Sequence, residues 1–334
     1  MGSGLAKCLR VNPRTHLNMI EVDRLEKSYG FARALKGISF SVSKGEVIGF
    51  LGPNGAGKST TMKILTGYLA PSGGGGTVNG LDIVKDSLAV RAMIGYLPES
   101  TPLYADMRVD EYLSFCAEIR GVPTSSRKAS LARAVQLCGL ERVTGKNINE
   151  LSKGYKQRVG LAQAIVHEPP VLILDEPTSG LDPNQIVEVR KLIERLGEDH
   201  TVLLSTHYLQ EVEKSCSRVI IVNQGEIVAD GTQQQLLEEQ PSGGLRVRVR
   251  GPEAGVVAQF QELLPDALVE VVDRSDDSND FRISVDKQQA PVEESVARLV
   301  VKNGWDLLSL HRETPDLEDV FRKLTLNSTE VGNV

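Results

Sequence analysis

Two short stretches hold the residue types that handle phosphate. The first is Gly52-Pro53-Asn54-Gly55-Ala56-Gly57-Lys58-Ser59, with the spacing G-x-x-x-x-G-K-[ST]. Its glycines let consecutive backbone N–H groups turn inward as a nest for phosphate oxygens. The helix that Lys58 opens adds the partial positive charge of its N-terminus. Lys58 is placed to neutralise β- and γ-phosphates and the Ser59 hydroxyl to hold Mg²⁺, with Thr60 beside them in the nucleotide-binding set. The second stretch, Val171-Leu172-Ile173-Leu174-Asp175-Glu176, is an apolar run ending in two carboxylates. Open α/β sheets bind ligands at the carboxyl ends of their strands, so these acids should emerge beside the phosphates. Asp175 is expected to hold Mg²⁺ through its water shell, and Glu176 to polarise the attacking water.

Such groups need a parallel sheet behind them. Val47–Leu51, Val171–Leu174, Val202–Leu204 and Val219–Val222 are short apolar runs, read as strands buried on both faces. Helices are expected from Lys58, over Pro183–Leu196 with Asp182 as N-cap, and over Tyr208–Lys214. Between about Ser100 and Ile165 the strand signal gives way to a helical insert. Beyond a polar linker at Gln240–Gly244 the order changes. Strands are expected at Leu245–Arg250, Leu268–Val272, Phe281–Val285 and Trp305–Leu310. Helices are expected at Val256–Leu264, Val292–Lys302 and Leu317–Leu324. Read as β-α-β-β-α-β plus a helix, this suggests a small ferredoxin-like α+β domain.

Composition sets the outer limits. The 334 residues are about twice one domain's usual length, and 25% charged with 40% hydrophobic residues is globular composition. The net charge of −6 and 4% aromatics speak against a dedicated nucleic-acid binder. Up to Asp230 there are 27 basic and 25 acidic residues; beyond it there are 11 and 19, so the acidity belongs to the C-terminal third. No apolar run approaches the ~18 residues that span a bilayer. Cys8, Cys116, Cys138 and Cys216 lack paired spacing, which fits a reducing compartment. Residues 1–18 lack a signal core and any periodicity; they read as a disordered extension, with Met19 a candidate start.

A third stretch connects these features. Leu151-Ser152-Lys153-Gly154-Tyr155-Lys156-Gln157-Arg158 lies twenty residues before the Asp–Glu strand. Together with the phosphate loop and Asp175–Pro183 (DEPTSGLDP), it resembles the ATP-binding subunits of ABC transporters over about Met19–Asp230. The resemblance implies a P-loop NTPase fold with a helical subdomain at about 100–165, inside an ATPase domain at 19–232. An accessory domain would occupy 245–327.

The resemblance also implies a head-to-tail homodimer with ATP sandwiched between the phosphate loop of one copy and Ser152 and Gly154 of the other. Tyr29 would stack on adenine, His207 would contact the γ-phosphate, and Ser179–Asp182 would couple the two sites, giving Asp182 a part in catalysis. A separate membrane permease would be the partner, docked around Glu99–Tyr112 at the inner face of the cell membrane, with no nucleic acid involved. Two positions depart from the family pattern. Glu99 stands where Gln is usual, a carboxylate still able to reach Mg²⁺, and the signature reads Leu-Ser-Lys-Gly-Tyr rather than Leu-Ser-Gly-Gly-Gln. Both departures, Ile94–Tyr104 and the tail Thr314–Thr325 resemble an export branch close to gliding-motility-type ATP-binding proteins.

Rival readings use fewer of these residues. A nucleic-acid or ribosome machine would carry two ATPase cores or a coiled coil, and a small-molecule kinase has no need of Leu-Ser-x-Gly. A non-hydrolysing ATP binder would not need Lys58, Asp175, Glu176 and His207 together. Three further features read as surface: the glycines Gly73–Gly76 as a turn, Arg246, Arg248 and Arg250 as an exposed strand face, and Asp273–Asp280 as a solvated hairpin loop.

Overall fold

The computed structural model describes residues 18–238, 244–265, 267–275, 277–284, 292–312 and 316–326. The chain divides into two compact units between Val228 and Ala229. The first unit begins with β1 (Asn18–Tyr29), β2 (Ala32–Ser43), β3 (Val47–Leu51), α1 (Lys58–Leu65), β4 (Gly73–Val78), β5 (Leu81–Asp82), α2 (Ser87–Met93) and β6 (Ile94–Leu97). It continues with α3 (Val109–Ile119), α4 (Thr124–Cys138), α5 (Lys153–Ile165), β7 (Val171–Asp175), α6 (Pro183–Asp199), β8 (Thr201–Thr206), α7 (Leu209–Ser215) and β9 (Arg218–Asn223). β10 (Glu226–Gly231) follows and crosses the division.

The apolar runs form the sheet expected of them. Strand order is β10-β9-β3-β8-β7-β6, and β6, β7, β8, β3 and β9 pair in parallel. Every residue of β7 and β8 is buried, because helices cover parallel strands on both faces. The strands run slightly longer than the apolar runs. Thr201, Ser205 and Thr206 extend β8, and polar residues at strand ends carry no periodic signal. Between β6 and β7 the chain is helical apart from loops, as expected, through α3, α4 and α5.

A second sheet, with order β2-β1-β4-β5, is antiparallel throughout and has no counterpart among the strands expected from the sequence. Its long first hairpin has register shifts between Val22 and Leu25 and again between Lys27 and Ser28, which break the two-residue alternation. Ile20, Val22, Leu25, Ile38 and Phe40 from this sheet pack with Ile48, Phe50, Met62 and Ile173 into one core. The Phe40 and Phe50 rings lie 5.4 Å apart, joining the two sheets.

The glycines at 73–76 are not a surface turn: they are β4, paired with β1. At Gly74 and Gly76 the backbones approach too closely for side chains. Gly74 has φ +63°, and a Cβ there would sit 1.9 Å from the Arg24 carbonyl oxygen. Gly74→Ala is therefore expected to cost about 2 kcal/mol or more, from left-handed strain plus displacement of β1. Chemical denaturation measures this; an unchanged midpoint would contradict the close pairing.

The extension expected at 1–18 lies outside the described residues except for Asn18, which already belongs to β1 and bonds Glu21 at 2.8 Å. The linker expected at 240–244 likewise lies outside them except for Gly244. The second unit holds α8 (Gln233–Glu238), β11 (Leu245–Arg250), α9 (Glu253–Leu263), β12 (Leu268–Arg274), β13 (Asn279–Ser284), α10 (Val292–Lys302), β14 (Asp306–Arg312) and α11 (Leu317–Leu326). α8 contacts α11, so this unit gathers residues on both sides of the linker. Its sheet is antiparallel with order β12-β13-β11-β14, a split β-α-β arrangement. Leu245, Val247, Val249, Phe281 and Ile283 face Val256, Phe260, Val296 and Val300. The three arginines of β11 are engaged within the unit rather than presented to an anion. Arg248 donates to Ser278 and Ser275, and Arg250 pairs with Asp277 and Asp306. Arg246 lies 3.6 Å from Asp280.

Candidate functional site

The loop between β3 and α1 is shaped by what surrounds it. Gly57 has φ +110°, and a Cβ there would meet the Ala34 carbonyl oxygen at 2.9 Å, so β2 presses directly on the loop. The loop opens onto a cleft of about 450 Å³ lined by Asn54, Gly55, Gly57, Lys58, Ser59 and Thr60. Across it stand Glu99, Glu176, Ser179 and His207. Gly52, Pro53 and Ala56 lie behind this wall. The Lys58 ammonium donates to the carbonyls of Gly52 at 2.7 Å and Pro53 at 3.3 Å, and Ala56 N–H donates to the Pro53 carbonyl.

The two carboxylates at the end of β7 face this loop. Ser59 Oγ donates to Asp175 Oδ1 at 3.1 Å. Ser205, at the end of β8, donates to the same Asp175 oxygen. Glu176 leaves the strand with φ +49°, a left-handed conformation that few non-glycine residues adopt. Its backbone N–H is held by both the carbonyl and the Oγ of Ser205, each at 3.1 Å. The turn aims the Glu176 carboxylate between two partners. Oε1 lies 3.4 Å from Lys58 Nζ, and Oε2 lies 2.8 Å from His207 Nδ1. A carboxylate only accepts, so His207 Nδ1 carries a proton and donates it, and Glu176 leaves Nε2 unengaged. Lys58 and Glu176 are each 5% exposed, a pairing that screens both charges.

These residues fit Mg²⁺. The ion keeps much of its water shell and takes one or two carboxylates together with nucleotide phosphates. A hydroxyl and a carboxylate 3.1 Å apart beside a phosphate cradle form such a donor set. Among the described residues no group of three or more His, Cys, Asp or Glu gathers into a closed metal site. Glu99 shares the cleft, within reach of the same region.

Residues 35–179 match the family model described as ABC transporter. The chain is 34% identical over 316 residues to the linearmycin resistance ATP-binding protein LnrL of Bacillus subtilis (strain 168), covering 92% of this chain and 98% of that protein. It is 37% identical over 313 residues to the Nod factor export ATP-binding protein I of Paraburkholderia xenovorans (strain LB400), covering 92% and 96%. This chain belongs to the ABC transporter ATP-binding proteins. The fold agrees: the cbiO1 protein of Clostridium perfringens, part of the ABC transporter complex cbiONQ, superposes with a TM-score of 0.61 at 30% identity, over 74% of this chain and 96% of that one. This protein is thus an ATP-binding subunit and an ATPase. Among its described residues no helix is long and apolar enough to cross a membrane.

Other residues expected at the ATP site stand elsewhere. Tyr29 does not line the cleft; it is half exposed beside the turn between β1 and β2, under the Lys27 ammonium. Asp182 is the N-cap of α6, its Oδ1 accepting from Gln185 N at 3.0 Å, and it too lies outside the cleft. Ser152 caps α5, accepting from Tyr155 N at 3.4 Å, and Gly154 is packed against Gln185. Neither reaches the cleft of its own chain. Sequence reasoning passed over Ala34, Ser205 and Tyr208. The Tyr208 ring lies 4.0 Å from His207 and lines the cleft. Only Ser205 left a trace, as the polar end of an apolar strand.

Proposed function

We propose that this ATP-binding subunit works as a head-to-tail homodimer that hydrolyses Mg²⁺-ATP and drives export through a separate membrane permease. The observation that carries the reading is a division of labour. The cleft holds the phosphate loop, Glu176 and His207, while Ser152 and Gly154 sit at an α5 N-terminus outside it. A second copy can supply that N-terminus, whose N–H groups and dipole suit a γ-phosphate.

Within one site the roles follow from the distances. Lys58 and the loop N–H groups hold the terminal phosphates and stabilise the charge that develops on them. Ser59 and Asp175 would hold Mg²⁺, with Glu99 close by; the ion would neutralise phosphate charge. Glu176 orients a water and takes its proton. His207 donates from Nδ1 to the Glu176 carboxylate, and a proton on Nε2 would let that nitrogen donate to the γ-phosphate. Ser179, in the cleft wall, begins the loop toward Asp182, which sets the start of α6 and couples the two sites.

The permease contact is assigned to the helical subdomain. There Tyr104 stacks edge-on against Tyr112 and Phe115, leaving Tyr104 57% and Phe115 37% exposed beside a groove of about 430 Å³ that includes Pro98 and Arg120. The export direction follows the similarity to the Nod factor export ATP-binding protein, and the inner face of the cell membrane follows from such a partner. The second unit is assigned an accessory role.

The shared site is tested by mixing two inactive variants, Lys58→Met and Ser152→Arg. Each alone should release no phosphate from Mg²⁺-ATP. Mixed dimers should regain turnover, because one of their two sites then has an intact loop and an intact α5 N-terminus. No recovery in the mixture would overturn the shared-site reading.

A further inference from the structure

Glu211 is a carboxylic acid in the first turn of α7, yet it is 4% exposed. Its burial follows from how α7 is seated. The neighbouring Val212 is fully buried against β3, where a Cβ on Gly49 would come 2.8 Å from its Cγ1. Behind the cleft, Thr178 Oγ1 donates to Glu211 Oε1, and Thr178 is itself 2% exposed. The other oxygen, Oε2, is buried on the side of the Thr206 hydroxyl. Its polar surroundings are the Thr206 hydroxyl and the side chains of Glu176 and His207. Burial raises the Glu211 pKa, against the hydrogen bonds from Thr178 and Thr206.

Stability alone does not account for this group. A buried carboxyl group is costly even when it accepts hydrogen bonds, so an apolar residue of the same size would serve the packing at least as well. What the carboxyl adds is a tie between two loops. Thr178 lies two residues after Glu176. Thr206 precedes His207, and its Oγ1 accepts from Tyr208 N–H at 3.0 Å. The side chains these loops carry, Glu176 and His207, meet at 2.8 Å.

We infer that Glu211 is a positioning residue for ATP hydrolysis: by tethering Thr178 to α7 it holds the loop of Glu176 against the loop of His207. It does not line the cleft, so it acts through these residues and not on the nucleotide. The inference rests on Glu176 and His207 being the hydrolytic pair.

Steady-state kinetics of the full chain test it. Glu211→Gln keeps an acceptor for Thr178 and should retain kcat within about threefold. Glu211→Leu keeps the volume and removes the acceptor; kcat should fall about tenfold or more, with KM for ATP within about twofold, since a small misplacement of a catalytic group is costly. Thr178→Val, nearly isosteric, should reproduce that loss while its thermal midpoint, though lowered, stays above the assay temperature, so that a poorly folding Glu211→Leu does not decide the matter. The double variant should be no worse than either single one. Wild-type kcat in Thr178→Val, a loss as large in Glu211→Gln as in Glu211→Leu, or a change confined to KM would each overturn the inference while leaving the hydrolytic pair standing. A wild-type chain unable to turn over ATP would overturn both.

Discussion

Glu176→Gln will bind Mg²⁺-ATP, turn it over at least about 10²-fold more slowly than the wild-type chain, and persist as an ATP-bound dimer. The rate loss is that of removing a positioned general base. The geometry makes the substitution clean. An amide has the shape of the carboxylate, the backbone turn at φ +49° is fixed by Ser205 and not by the side chain, and Lys58 keeps its bonds to the Gly52 and Pro53 carbonyls. Affinity for ATP should rise, because a negative charge leaves the phosphate site and the Lys58 ammonium loses its competing carboxylate at 3.4 Å. Phosphate-release kinetics and size-exclusion chromatography with ATP read the two effects. Wild-type turnover would remove Glu176 from the chemistry.

Lys58→Met produces the opposite pattern. Nucleotide affinity should fall by about 10²-fold, the scale of losing charge-assisted hydrogen bonds to phosphate. The folded state should also lose about 3 kcal/mol, because a carboxylate 95% removed from water is left without its cation. His207 stays on the other oxygen, which limits the loss. Adding Glu176→Gln to Lys58→Met should restore most of the thermal midpoint without restoring ATP binding. Calorimetry of the two single variants and the double one separates the terms. If the second substitution recovers no stability, the ion pair is not what Lys58 contributes to the fold.

Much of the ATP site was legible because its parts are contiguous. A strand, a tight loop and a helix N-terminus need only consecutive residues, so the phosphate loop is written in eight positions. Asp175 and Glu176 are the end of an apolar strand, and Ser152 and Asp182 cap helices three residues ahead of their hydrogen-bond donors. The parallel strands were legible for the same reason, since burial on both faces demands unbroken apolar runs. The antiparallel sheet was not. Bulges interrupt its alternation, and the glycines of β4 signal a turn to any local reading, when Gly74 and Gly76 answer to the closeness of β1.

The residues that only the fold revealed share one property: their meaning lies in a partner far along the chain. Ser205 matters because β8 lies beside β7, and Ala34 because β2 crosses the phosphate loop. Glu211 matters because α7, seated on β3, turns it away from water toward Thr178. Sequence alone determined which chemical groups this protein brings to ATP, because type and local spacing are carried by covalent order. Tertiary structure decided which groups touch: that Glu176 is held between Lys58 and His207, and that Ser152, Gly154, Tyr29 and Asp182 stand outside the cleft of their own chain. Those distances come from how sheets and helices pack, and packing joins residues that no local pattern relates.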